Sequence, residues 1–293
     1  MESNQTLLPQ KEEKKLHIIK TLVVETFKGW IDDKASRIAA ALAYYTIFAI
    51  APLLIITISV VGFVFGESAA QNEIATQLED MIGPEVASVV ESAVASTNKP
   101  TSGIIATIIG FVTMLLGASG LFGEIQAALN TIWKAEPPEG GGIMLLVKNR
   151  LILFGMVFSI GFVLMLSLFA GIAVTAVTEY FDFGAFLQWL NLIISFGLVT
   201  LLFAIIYKVL PDVTPAWSDV WIGSAVTSLL FTIGKLLIGL YMGSSNIGSA
   251  YGAAGSLIVF LVWIYYSAQV FLLGAEFTYV YAHRYGSLAK TSK

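Results

Sequence analysis

Charged residues are absent from long intervals of this chain. None occurs in Ile38–Gly66, Gly103–Gly123, Leu151–Thr178 or Phe183–Tyr207, and each interval is long enough for a helix to cross ~30 Å of hydrocarbon, which takes about 20 apolar residues. A fifth charge-free interval, Leu236–Ala275, is too long for one crossing, and its middle reads GSSNIGSAYGAAGS over Gly243–Ser256. That run of helix breakers divides it. The pattern predicts an all-α, polytopic membrane bundle of six transmembrane helices over about 38–66, 103–132, 151–178, 183–208, 219–242 and 253–281.

The fifth helix carries Lys235, which tests the assignment. Eleven Leu, Ile, Val and Phe residues lie between Val220 and Leu240. At roughly −0.3 to −0.6 kcal/mol each they outweigh about +3 kcal/mol for a central lysine, so insertion is expected.

An even number of crossings puts both termini on one side, and the distribution of cations says which. Of 16 Lys and Arg, 14 lie in the N-terminal 37 residues, the second-to-third and fourth-to-fifth connections, and the C-terminus. Positive charge is retained on the cytoplasmic side, so both termini are expected in the cytoplasm. Lys99 is an outer-loop residue. Composition agrees with the membrane class: 57% hydrophobic and 12% charged, with mean hydropathy +0.81. Soluble domains average roughly 45–50% apolar and about 25% charged.

The expected organisation is a cytoplasmic basic arm over 1–37, one membrane domain over 38–282 and a cytoplasmic tail over 283–293. In the arm, Leu16, Ile19, Val23, Phe27 and Trp30 share a helical face beside Lys14, Lys15, Lys20 and Lys28, as in a helix lying at the interface on anionic lipid. No secretory signal peptide is read before the first span. Between the first two spans, residues 67–99 read as an outer helical hairpin. Ser68 and Gln71 have capping-box spacing, and Gly83-Pro84 separates two apolar faces.

Three charges break the membrane pattern: Glu124, Lys235 and Glu276. Intramembrane ionisable groups cost about 2.5–3.5 kcal/mol, so they usually face a partner, a cavity or water. From the rise per residue, Glu124 lies roughly 10 Å and Glu276 roughly 15 Å toward the cytoplasm from their span centres, and Lys235 about 6 Å toward the outside. The two carboxylates share a layer that Lys235 does not reach. Lys235 either snorkels toward the outer acidic segment or forms an anion site. Glu124 and Glu276 either join a buried cluster with Lys34, Arg37, Lys208 or Arg284, or serve a proton relay.

Neighbouring positions carry polar or small residues. Tyr265, Gln269 and Glu276 share a face of the sixth span. Gly117 and Gly120 align with Glu124, and Gly239 and Gly243 align with Lys235; such small residues let helices approach closely. Pro52 is expected to kink the first span.

Enzyme signatures are missing. The chain has no Cys and two His, His17 and His283, near opposite ends. Walker A, HExxH, GxSxG and GxGxxG patterns do not occur. No catalytic, cofactor-binding or metal-ligating residue is therefore assigned. Hydrolysis of RNA would need metal ligands or an acid–base pair in water beside a basic surface.

Several motifs resemble those of the YihY/BrkB family of bacterial inner-membrane proteins, once mislabelled ribonuclease BN. They are AAALAYYTIFAIAP over Ala39–Pro52, GASGLFGEIQAALNTIW over Gly117–Trp133, LPD over Leu210–Asp212, Gly234-Lys235, YGAAGS over Tyr251–Ser256, and GAEF over Gly274–Phe277. The resemblance implies a six-helix inner-membrane protein with a role in transport, linked to envelope lipids or to resistance to external attack. Its motifs include Glu124, Lys235 and Glu276.

The expected function is that of a transporter or flippase-like protein for an anionic amphiphile or envelope lipid. In it Lys235 contacts the headgroup, Glu124 and Glu276 shape the inner gate, and Gln269 and Tyr265 line the route. A non-transporting membrane scaffold for envelope assembly and a small-ion or metabolite carrier are the alternatives. The expected partners are the bilayer and an anionic lipid or amphiphile. Assembly as a homo-oligomer is left open, no nucleic acid is expected, and no cofactor is implied.

Overall fold

The structure, a computed structural model, describes residues 7–66, 120–136, 184–244 and 255–289, with isolated positions between 68 and 91 and between 155 and 166. Most of the expected outer hairpin, the first part of the second span with Gly117, most of the third span and the connection 245–254 lie outside the described residues. So do the side chains of Pro52, Gly239 and Gly243.

The described elements are all helices: α1 Leu7–Asp32, α2 Ala35–Phe65, α3 over 120–132, α4 Gly184–Val209, α5 Trp217–Ser244 and α6 Gly255–Arg284. Among the described residues, three helices are long and apolar enough to cross a bilayer, over Leu192–Val209, Trp217–Ile238 and Ile258–Arg284. A shorter apolar stretch lies in α2 over Ala35–Ile50. Observed helix bounds fall within three residues of the expected ones for α2, α4, α5 and α6. α2 stays helical through Pro52.

The helix ends follow local chemistry. Pro211 lies just past the end of α4, where a residue without an N–H cannot continue the ladder. Asp219 in the first turn of α5, and His283 and Arg284 in the last turn of α6, complement the helix dipole. α1 passes into α2 through Asp33-Lys34, with Lys34 in the left-handed region at φ 55°. α3 ends in a Schellman arrangement: Ala135 N–H donates to the Asn130 carbonyl at 2.9 Å and Lys134 N–H to that of Thr131 at 3.2 Å. Lys134 occupies the position that usually holds glycine, at φ 52°.

α6 is the central helix, packing against α5, α2 and α1, while α4 packs on α5 and reaches α6 through Phe203 and Tyr207. The buried core draws on Ala35, Ala39, Leu42 and Ala49 of α2, on Leu121, Phe122, Leu129 and Ile132 of α3, and on Ala204 and Tyr207 of α4. From α6 it takes Ala268, Phe271, Leu272, Ala275 and Ala282.

Between membrane helices lipid supplies little hydrophobic drive, so association rests on close packing and interhelical hydrogen bonds. The α5–α6 seam achieves both by a reciprocal exchange of glycine and threonine. Thr278 fills the space above Gly223, where an added Cβ would lie 1.8 Å from Thr278 Oγ1, and Thr227 fills the space above Gly274, at 1.9 Å. Further along, Tyr266 covers Gly234 in the same way. Tyr207 ties α4 into the seam, donating its hydroxyl to the Phe271 carbonyl at 2.6 Å beside Thr227 Oγ1 at 3.2 Å.

Candidate functional site

The polar contacts between helices concentrate at one end of the bundle, where α1 turns into α2, α3 and α6 end, and α4 passes into α5. Asp212, of the LPD motif, accepts from Gln126 Nε2 at 3.2 Å and Asn130 Nδ2 at 2.7 Å, and its own N–H donates to Asn130 Oδ1 at 2.8 Å. The 4–5 connection is thereby fastened to α3. Buried Asp219 accepts from the N–H and hydroxyl of Ser287 at 3.0 and 2.6 Å, joining the start of α5 to the end of α6. Arg284 grips Glu25 of α1 through two donors at 2.6 and 2.9 Å. Lys134 pairs with Asp33 at 2.5 Å, which links the α1–α2 turn to α3.

Glu276 sits inside this lattice at 1% exposure. Gly29 of α1 presses against it so closely that an added Cβ would lie 2.5 Å from Glu276 Oε2. The charged groups that act on it are Asp33, Lys134 and Asp32. Its Oε1 has no hydrogen-bond partner among the described residues, nor has the buried Thr26 Oγ1 or Trp133 Nε1. Trp133 stacks edge-on against Tyr279, with His283 beyond it. Buried polar atoms without partners are uncommon and costly, so they concentrate attention on this junction.

α1 packs on the bundle. Leu22 and Thr26 are buried and Gly29 faces Glu276, so one face of α1 docks on α6. Ile19, Val23 and Phe27 remain exposed, whereas Trp30 packs against the core. Two of the cations expected near Glu276 find other partners. Lys208 donates to the Pro215 carbonyl at 2.5 Å and lies 5.7 Å from the Trp217 ring centre, and Arg284 pairs with Glu25. Gly29, Asp33 and Lys134 take their place, because the α1–α2 turn folds back under α6.

The other expected residues separate. Glu124 is half-buried on α3 with no polar partner among the described residues, and Gly120 beside it packs on the Tyr45 ring, 3.2 Å from an added Cβ. Tyr265 is exposed and Gln269 half-buried with Oε1 unpartnered, so the face they share with Glu276 by spacing passes through three environments. Lys235 is exposed, among exposed Ile233, Leu236 and Leu237. No carboxylate pairs with it among the described residues. Gln126, Asn130 and Asp212 were not singled out in the sequence although all three lie in its quoted motifs. Tyr207 and Thr227 signalled only as polar groups within apolar spans.

A helical bundle whose described residues include three spanning-length apolar helices, locked at one end by side-chain polar contacts, defines a membrane protein. Residues 26–293 match the virulence factor BrkB family, and the chain belongs to it. Relatives include a UPF0761 membrane protein of Alcanivorax borkumensis, 25% identical over 94% of this chain and 63% of its own length. Another, of Acinetobacter baylyi, is 26% identical over 84% of this chain and 58% of its own. A third, of Mannheimia succiniciproducens, is 26% identical over 89% of this chain and 90% of its own. The chain thus spans about three-fifths of the first two relatives. No solved structure matches it.

Proposed function

We propose that this protein is a multi-pass inner-membrane transporter or flippase-like protein for an anionic amphiphile, with six spans, both termini cytoplasmic and no catalytic chemistry. The observation that carries the reading is the setting of Lys235. A cation within a spanning helix ordinarily neutralises a buried acid or snorkels to water. Lys235 does not pair with a carboxylate among the described residues, and its exposed neighbours are aliphatic. An ammonium beside an uncovered apolar surface complements a molecule with an anionic head and an apolar tail. An enclosed route for a hydrated small ion would place polar groups around it instead. The opposite end of the bundle, knitted through Glu276, Asp33, Lys134, Asp212 and Asp219, acts as the closed inner side.

The test is reconstitution in phosphatidylcholine vesicles containing fluorescent phosphatidylglycerol. Vesicles with the full chain should expose the inner-leaflet label faster than empty ones, and Lys235→Ala should cut that rate at least tenfold. Equal rates in all three would sink the transport reading and leave the membrane scaffold.

A further inference from the structure

α5 carries two buried hydroxyls that nothing among the described residues uses. Ser224 and Ser228 are both 0% exposed, and neither Oγ has a hydrogen-bond partner among the described residues. Serine in a helix normally satisfies its hydroxyl on the carbonyl one turn back, and the threonines beside them do so. Thr227 donates to the Gly223 carbonyl and Thr232 to that of Ser228, each at 2.8 Å. The serines are therefore exceptional within their own helix.

Their direction is informative. At 100° per residue, Ser224, Ser228 and Lys235 fall within about 40° of one another around α5, and Ser224 lies roughly 16 Å below Lys235 at 1.5 Å per residue. The stripe they form is distinct from the face that packs on α6, which is made by Gly223, Thr227 and Gly234. It borders the α4–α5 seam, since Thr227 meets Tyr207 and Phe231 meets Phe203 of α4. One stripe thus carries an exposed cation toward the outer side and two unpartnered donors below it, shut in by helix packing.

We propose that Ser224 and Ser228 continue the Lys235 site inward as hydrogen-bond donors to the oxygens of an anionic headgroup, in a path closed in this conformation and opened when α4 separates from α5. This rests on the transport reading and adds the residues along the route. Phosphate-type oxygens accept from hydroxyls as well as from an ammonium, and donors left unbonded in the closed state lose no internal hydrogen bond when the path opens.

The chain has no cysteine, so single Ser224→Cys, Ser228→Cys and Lys235→Cys variants report unambiguously. In full-chain proteoliposomes, a water-soluble anionic thiol reagent should label Lys235→Cys fastest and Ser228→Cys measurably. Phosphatidylglycerol in the vesicle should slow labelling at Ser228 severalfold relative to phosphatidylcholine alone. The Ser224→Ala/Ser228→Ala pair should lower flux of fluorescent phosphatidylglycerol at least fivefold while its melting temperature stays level or rises, since it removes unbonded polar atoms without changing volume. A purely structural role for the serines would move melting and leave flux unchanged. If Lys235→Cys labels and Ser228→Cys never does, or if the double alanine variant transports like wild type while Lys235→Ala fails, the inward path is wrong and the transport reading survives. Equal flux in wild type, Lys235→Ala and empty vesicles defeats both.

Discussion

Placing a methyl group at Gly223 tests whether the α5–α6 seam holds the bundle together. In Gly223→Ala the new Cβ would sit 1.8 Å from Thr278 Oγ1, 2.7 Å from its Cβ and 2.9 Å from its Cγ2. Rotating Thr278 could remove the first clash, at the expense of the hydroxyl bond to the Gly274 carbonyl at 2.7 Å. It cannot remove the second, because Cβ is fixed by the backbone. Moving that contact from 2.7 Å to the 3.4 Å of ordinary contact requires the helices to part by at least 0.7 Å. A gap of ~0.5–1 Å forfeits a quarter to a half of each dispersion contact, and Thr227 on Gly274 and Tyr266 on Gly234 share the same seam.

Overpacking of this kind costs about 1–3 kcal/mol, and the loosened neighbours place Gly223→Ala at the upper end. Alanine's better helix propensity returns about 1 kcal/mol, leaving a net loss of roughly 2 kcal/mol. At about 2–4 °C per kcal/mol, the midpoint should fall by roughly 4–8 °C. The assay is thermal unfolding of detergent-solubilised protein followed by the loss of monodisperse material. Gly197→Ala is the control: nothing lies within 4 Å of its added Cβ, so it should hold or gain slightly. The swapped pair Gly223→Ala/Thr278→Gly should recover most of the loss. A Gly223→Ala protein that melts at or above wild type refutes the argument, because propensity would then act without any opposing clash.

Three further outcomes follow from the same geometry. Gly29→Ala should destabilise the α1–α6 junction by about 1–2 kcal/mol, the overpacking scale reduced because Glu276 Oε2 ends a flexible side chain; faster protease cleavage within α1 would report it. A double-mutant cycle on Asp33 and Lys134 should give a coupling of about 0.5–1 kcal/mol that shrinks in high salt, since Lys134 is half exposed; no coupling would make the pair incidental. Tyr207→Phe should lower stability by about 0.5–1.5 kcal/mol through loss of its bond to the Phe271 carbonyl, and an unchanged midpoint would show that the α4–α6 link contributes nothing.

The helices were legible because a charge-free interval of spanning length is a local property. α4, α5 and α6 stand within three residues of their expected bounds. Ser68 and Gln71 are described and helical, whereas Gly83-Pro84 lies outside the described residues, so the turn of the outer hairpin rests on its sequence alone. Glu276 was also legible as an exception to the membrane pattern, but its neighbours were not. Lys34, Arg37, Lys208 and Arg284 were the cations available in the right layer, and depth along a span cannot distinguish them. The contact that prevails, through Gly29 with Asp33 and Lys134, depends on α1 folding back under α6. For α1 itself, periodicity found an apolar face but missed the docking face of Leu22, Thr26 and Gly29, which is built from a single large apolar residue and small ones.

What the sequence determined by itself is the membrane class, the helical character of the described segments and the short list of charges that the bilayer makes costly. Each follows from a transfer free energy that depends on residue type and span length, with no knowledge of neighbours. Only the tertiary structure decided that Thr278 fills the hollow over Gly223, that Tyr207 reaches Phe271, that Glu276 is enclosed by α1 and that Lys235 is left open. Those outcomes depend on the azimuth of each helix and on where its partners lie. A one-dimensional pattern gives the azimuth only relative to the helix itself, and pairing must await the packed bundle.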